Sequence, residues 1–224
     1  MNKTAVITGG NRGIGLELVK CLIKHHYQVY VICRKVSKEL KKTNATVITD
    51  VDITNKEDIK KAILKLKSIK IDLLINNAGI LTNETLDNLN DSATERIMTQ
   101  FETNALAPLI ITNALKKKLN PGSKVIMITS RMGSITDNSS GSRYGYRMSK
   151  AALNIASKSL AIDLEKENIS VGILHPGWVQ TDMTGHSGMI SASESASMLY
   201  ERIQDVNIKT TGTFVHANGE KLPW

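Results

Sequence analysis

Two side chains set the chemistry open to this chain. Tyr146 and Lys150 lie four residues apart, so on a helix both project from one face. A phenol with a pKa near 10 is a sluggish acid at neutral pH. A neighbouring ammonium favours the phenolate and draws that pKa toward the working range. The couple is thus suited to proton transfer, although the same spacing also describes an ordinary surface pair. A second group of residues suits a phosphorylated nucleotide. Residues 8–15 read TGGNRGIG, and glycines at 9, 13 and 15 let a backbone turn tightly and approach a pyrophosphate at a helix N-terminus. Asn11, Arg12 and Ile14 fill the rest of that turn.

Further polar residues punctuate the chain at regular intervals. The run 27–33 ends in Cys33-Arg34-Lys35, with none of the acidic residues that hold a ribose 2′-hydroxyl in NAD-selective folds. Arg34 and Arg12 suit a 2′-phosphate instead. A charge-assisted bond to such a group contributes about 1.5–3 kcal/mol, a roughly ten- to hundredfold preference, so NADP(H) is the expected cofactor. Asp52 and Ile53 follow the next apolar run; Asp52 suits an adenine amino group and equally a plain turn. Asn76-Asn77-Ala78-Gly79 places two amides and a glycine where ribose contacts or strand bracing are needed.

The elements that must position these residues alternate. Apolar, beta-branched runs at 3–8, 27–33, 46–49, 71–75, 124–129, 170–174 and 213–215 read as strands. Helical patterns lie between them, the first marked by Ile14, Leu18, Val19, Leu22 and Ile23. Others cover 56–67 after an Asn55 cap, 92–119 through Pro108, 144–166 and 192–205. Alternation of this kind predicts an α/β fold: a single doubly wound domain over 1–224, with about seven parallel strands and helices on both faces. Ligands of such sheets bind beyond the carboxyl ends of the strands, where the polar residues fall. The segment 182–191 reads as a short, flexible loop.

Composition narrows the classes. The 224 residues are 41% hydrophobic and 22% charged, which fits a globular chain rather than a disordered or fibrous one. Aromatics at 4% argue against base-stacking platforms, and no apolar run reaches the ~20 residues of a membrane span. Met1-Asn2-Lys3 runs straight into the first strand without a secretory signal pattern, and Cys21 and Cys33 lack metal-ligand spacing. The expectation is a cytoplasmic protein with no metal site and no membrane partner. The net charge of +8 is spread over lysines on helical faces rather than gathered in a patch, so specific nucleic-acid binding is not expected.

Taken together, these segments resemble the short-chain dehydrogenase/reductase family, single-domain type, over essentially the whole chain. The matching pieces are TGGNRGIG, Asp52-Ile53, NNAG at 76–79, Asn104, Ser130, YRMSK at 146–150 and HPGWVQTD at 175–182. The run SRMGSITDNSSGSRYGYRMSKAALN and the ending GEKLPW are similar to the C-factor-like and sniffer-like carbonyl reductase branch. The resemblance implies that Tyr146 gives a proton to a carbonyl oxygen and Lys150 holds the nicotinamide ribose and lowers the phenol pKa. It implies too that Ser130 hydrogen-bonds the substrate oxygen and Asn104 fixes a water linked to Lys150. Pro176, Gly177, Val179 and Thr181 would meet the nicotinamide end, and Asn77, Ala78 and Gly79 the cofactor's middle.

The resemblance also implies a homodimer or homotetramer through the helices near 92–119 and 144–166. One departure stands out: Ser130 precedes Tyr146 by 16 residues, a longer gap than much of the family has. Ser134 and Ser142 therefore compete with Ser130, which is preferred because it ends an apolar strand. Met132, Tyr144, Trp178 and Met183 are candidates for the substrate pocket, and His175 reads as structural. The expected function is NADPH-dependent reduction of an aldehyde or ketone, with an NADP(H)-binding sensor as the alternative.

Overall fold

A computed structural model describes residues 3–224; the reading of the Met1-Asn2 start lies outside them. The strands are β1 (Thr4–Thr8), β2 (Gln28–Ile32), β3 (Thr46–Ile48), β4 (Ile71–Asn76), β5 (Leu119–Ile128), β6 (Ser170–His175), β7 (Val179–Gln180), β8 (Ile190–Ser191) and β9 (Phe214–His216). The α-helices are α1 (Gly13–Lys24), α2 (Lys38–Lys41), α3 (Lys56–Lys65), α4 (Asp91–Phe101), α5 (Ala107–Leu115), α6 (Tyr144–Glu165) and α7 (Ala192–Asp205). Seven strands form one sheet in the order β3-β2-β1-β4-β5-β6-β9, every neighbouring pair parallel. This is a single Rossmann-like α/β domain, as the alternation predicts.

Burial on both faces explains the near-continuous apolar strands. In β1 every residue is buried: Val6 joins the core beneath α3, α5 and α6, while Ala5 and Ile7 join the one beneath α1 and α7. In β5, Val125 and Met127 divide from Ile126 and Ile128 in the same way. The order reverses between β1 and β4, the switch point where such sheets open a crevice for a ligand.

Two stretches differ from the sequence reading. The helix expected over 92–119 is broken into α4, a π-helical turn (Glu102–Leu106), α5 and a 3₁₀ turn (Lys116–Lys118). Pro108, in the first turn of α5, has no N–H to continue the ladder of α4, and the wide turn just ahead of it absorbs the mismatch. The loop expected at 182–191 is tied down. A Thr181 capping box starts a 3₁₀ turn (Asp182–Thr184), and Val179 and Gln180 pair with Ile190 and Ser191 of β8.

The crevice depends on a close approach between the glycine-rich turn and the end of β4. Gly9 has φ +69°, and a Cβ there would stand 2.9 Å from Ala78 Cα. A Cβ on Gly15 would stand 2.3 Å from the Gly9 carbonyl oxygen and 2.5 Å from Asn77 Nδ2. Gly15→Ala is expected to destabilise the fold by about 1–3 kcal/mol in denaturant unfolding and to weaken nucleotide binding; an unchanged midpoint would contradict this packing.

Candidate active site

Beyond the carboxyl edge of the sheet lies an open cleft of ≈ 920 Å³. At one end α1 begins at Gly13 behind Arg12, whose extended backbone (φ −159°) leads into the helix without a side-chain cap. The first amides of α1 therefore remain free for an anion. Gly9, Asn11, Arg12, Gly13, Ile14 and Gly15 all line the cleft. Arg34 and Lys35 stand exposed at the end of β2, also on the cleft wall. Among the described residues no group of three or more His, Cys, Asp or Glu is gathered for a metal, and no helix is long and apolar enough to cross a membrane.

The adjacent asparagines divide their work. Asn77 Nδ2 donates to the Thr8 and Gly9 carbonyls at 3.1 Å each, and the Asn77 and Ala78 amides donate to Thr8 Oγ1. Asn76 is buried and donates to Thr112 Oγ1 at 3.0 Å. Asn76 thus braces the sheet against α5, while Asn77 ties β4 to the glycine turn. Asp52 also has a turn role: its Oδ1 accepts from the Thr54 amide at 2.9 Å and the Thr54 hydroxyl at 2.7 Å. Those bonds, with Arg34 nearby, hold its carboxyl below the usual range. Asp52, Ile53, Asn77, Ala78 and Gly79 line the cleft floor.

Tyr146 and Lys150 rise from the first turns of α6 into the same cleft. Lys150 Nζ donates to the Ile128 carbonyl at 3.0 Å and lies 5.8 Å from the centre of the Tyr146 ring. Burial lowers the Lys150 pKa to about 8. The phenol of Tyr146 is pushed above its ordinary value by burial, opposed by a hydrogen bond with Ser130 and by the charge of Arg143. Desolvation of the phenol outweighs the charge near it. At neutral pH Tyr146 keeps its proton.

Of the three candidate serines, Ser130 is the one close enough to lower the pKa of the Tyr146 phenol. Ser130 caps a 3₁₀ turn (Arg131–Gly133), its Oγ accepting from the Met132 amide at 3.1 Å. Ser134 is occupied elsewhere, donating to the Trp224 carbonyl and accepting from the Asp137 amide. Ser142 sits in a left-handed turn with φ +55°.

Asn104, in the π-helical turn, is fully buried. Its Oδ1 accepts from the Ile80 amide at 2.8 Å, and its Nδ2 donates to the Ile80 carbonyl and to Ser149 Oγ. A Cβ on Gly79 would stand 3.1 Å from Asn104 Oδ1 and 3.7 Å from Lys150 Nζ, so the glycine leaves the room these groups need.

Pro176 and Thr181 reach the cleft, whereas Gly177 and Val179 do not. Val179 is buried in β7, and Gly177, at φ +91°, packs against Ile190 and His216. Of the four pocket candidates only Met183 lines the cleft. His175 is held neutral, its pKa lowered to about 3, chiefly by burial and then by His216, whose ring meets it edge-on at 4.8 Å.

Two features have no clear sequence signal. Asp182 reaches across the cleft mouth to Arg12 at 3.1 Å. Glu84, isolated in a polar stretch, is a wholly buried carboxylate beside the start of α6.

The chain belongs to the short-chain dehydrogenase family, whose model matches residues 3–189. It is 34% identical, over 99% of both chains, to 1-hydroxy-2-glutathionyl-2-methyl-3-butene dehydrogenase of Rhodococcus sp. strain AD45. The carbonyl reductase Sniffer of D. melanogaster superposes with a TM-score of 0.90 at 28% identity, covering 100% of both chains. An NADPH-bound carbonyl reductase from chicken fatty liver does so with a TM-score of 0.87 at 27% identity, covering 100% of this chain and 99% of that one. The likeness to the C-factor-like and sniffer-like branch read in the sequence is borne out.

Lys150 gives the site a stability signature. Its folded pKa of about 8 lies below the unfolded value near 10.4, so its ionisation opposes folding below pH 8, and that cost fades as pH rises toward 10.4. Lys150→Met is expected to gain about 1–3 kcal/mol at neutral pH, the gain shrinking above pH 8. A variant less stable than the parent at pH 7 would contradict the reading.

Proposed function

We propose that this protein is an NADPH-dependent reductase of aldehydes or ketones, acting as a cytoplasmic enzyme. The observation that carries the proposal is Tyr146: a phenol holding its proton, beside the Ser130 hydroxyl and the Lys150 ammonium, at the inner end of a cleft shaped for a dinucleotide. The cleft suits the cofactor because Gly9 and Gly15 let the turn pack close against the end of β4, and because the uncapped α1 amides remain free for an anion. When bound, the nicotinamide supplies hydride to the carbonyl carbon.

The chain's own residues do the rest. Gly9, Asn11, Gly13 and Ile14 would hold the pyrophosphate, Asp52 and Ile53 the adenine, and Asn77, Ala78 and Gly79 the ribose. Pro176 and Thr181 meet the nicotinamide end, with Gly177 and Val179 shaping the segment behind them. Lys150, anchored to the Ile128 carbonyl, holds the ribose hydroxyls. Ser130 and Tyr146 both donate to the substrate oxygen, stabilising its developing charge, and Tyr146 then passes its proton to that oxygen. Asn104, held by its bonds to Ile80 and Ser149, would fix a water linked to Lys150 as a route for proton return.

A phosphorylated cofactor is favoured by the basic end of β2. Arg34 and Lys35 stand there, and the Asp52 carboxylate is already engaged by Thr54. The chicken reductase is named as NADPH-bound. The Rhodococcus relative is named as a dehydrogenase, which favours alcohol oxidation as a second reading.

Exposed Met148, Ile155 and Ile162 recur every seven residues along α6, with Met98 and Phe101 exposed on α4. We assign this stripe to a homodimer or homotetramer interface, and light scattering of Ile155→Lys is expected to show a smaller species than the parent.

The activity is tested by loss of NADPH or NADH absorbance against small aldehydes, quinones, diketones and a ketosteroid. Turnover with NADPH is expected, and Arg34→Ala should raise its KM roughly ten- to hundredfold while leaving NADH unchanged. Tight NADPH binding without turnover of any carbonyl would overturn the reductase reading in favour of an NADP(H) sensor.

A further inference from the structure

Helix α6 carries the Tyr146–Lys150 couple, yet nothing in its own first turn caps it. Its N-cap residue, Arg143, is left-handed at φ +52° and makes no side-chain cap bond. Gly141 and Ser142 are left-handed too, at φ +60° and +55°. Helix starts ordinarily recruit a Ser, Thr, Asp or Asn at this position to take the free amides.

Here the acceptor comes from 61 residues earlier in the chain. Glu84 Oε2 accepts from the Gly145 amide at 3.2 Å, and the Glu84 carbonyl accepts from the Arg143 amide at 2.6 Å. Its other carboxylate oxygen accepts from Gln100 Nε2 at 3.2 Å and from the Thr82 hydroxyl, with Arg96 Nε 4.0 Å away. Gln100 Oε1 in turn accepts from the Thr82 amide at 3.0 Å.

Both Glu84 and Gln100 have no exposed surface, so any of these bonds left unmade would be costly. Gly145 completes the fit: a Cβ there would stand 2.2 Å from Gln100 Nε2. The positive end of the α6 dipole also favours a carboxylate at this place.

We propose that Glu84 is a positioning residue: its buried carboxylate caps α6 and fixes the turn that aims the Tyr146 phenol into the cleft. Gly145 immediately precedes Tyr146, so loss of the cap acts first on the phenol. Lys150 lies one turn further along and has its own anchor on the Ile128 carbonyl. The two halves of the couple are therefore held by different groups, and removing Glu84 separates them. Proton delivery suffers, while the cofactor site, built on β1, β2 and β4, keeps its affinity.

This inference deepens the proposed reading, and its kinetic arm rests on it. The test is a double-mutant cycle of Glu84→Ala with Tyr146→Phe, run with NADPH and 4-nitrobenzaldehyde. Glu84→Ala is expected to lower kcat roughly ten- to hundredfold in the parent, to leave the NADPH Kd unchanged, and to cost nothing further in the Tyr146→Phe background. Glu84→Gln keeps the shape and one acceptor, folds like the parent, and recovers part of the loss. An equal loss in both backgrounds, or no loss in either, would overturn the proposal.

A second arm needs no turnover. In protein labelled with fluorotyrosine, the Tyr146 fluorine resonance, assigned by its disappearance in Tyr146→Phe, is expected to move in Glu84→Ala and to titrate at lower pH as the ring gains solvent. Glu84→Gln should lie between the two. If the folded parent reduces no carbonyl, the proposed function fails while this resonance still decides the role of Glu84; a resonance that does not move would overturn that role.

Discussion

The site depends on a helix whose buried face is polar. Tyr146, Ser149, Lys150, Asn154 and Ser157 of α6 are all buried, an arrangement that costs free energy unless each group is bonded. The bonds are made. Ser149 accepts from Asn104 and donates to the Tyr146 carbonyl, Lys150 donates to Ile128, Asn154 accepts from Thr129 at 2.6 Å, and Ser157 donates to Leu153. This row locks α6 onto the end of β5 and onto the π-helical turn at Asn104. The buried phenol and the depressed lysine are consequences of the same desolvation: burial raises the pKa of an acid that is neutral when protonated and lowers that of a cation.

The second support is the seam between β1 and β4. Asn77 bonds the carbonyls of Thr8 and Gly9, and Gly9 and Gly15 permit the contact. The glycines do more packing than phosphate contact alone would require. With α6 on one side and this seam on the other, the cleft has two rigid walls. An exposed ion pair, Arg12 with Asp182, crosses its mouth and is of the kind worth little on its own.

Much of this was legible in the sequence. Apolar runs located all seven strands of the main sheet, and Ser130 stands just past the end of β5, where the sequence put it. The glycine turn and NNAG marked the cleft because each falls at a strand end, and the Tyr146–Lys150 spacing because it sets both side chains on one helical face. What escaped depends on distant parts of the chain. No local pattern announces that Glu84 will cap a helix 61 residues later, or that Val179–Gln180 and Ile190–Ser191 pair as β7 and β8. The direction of the Tyr146 shift escaped for the same reason: spacing along a helix reports a charge nearby, but burial is set by the strands and helices packed around it. The break near Pro108 was foreshadowed by the proline, while the π-helical turn that accommodates it was not.

In the proposed reaction the buried Tyr146 phenol delivers the proton to the substrate oxygen. Single-turnover reduction of 4-nitrobenzaldehyde by enzyme-bound NADPH, comparing the parent with Tyr146→Phe, tests it most directly. NADPH affinity is expected to be unchanged and the hydride-transfer rate lowered at least about a hundredfold, the lower range for a positioned general acid. A Tyr146→Phe enzyme that turns over near the parental rate would contradict it.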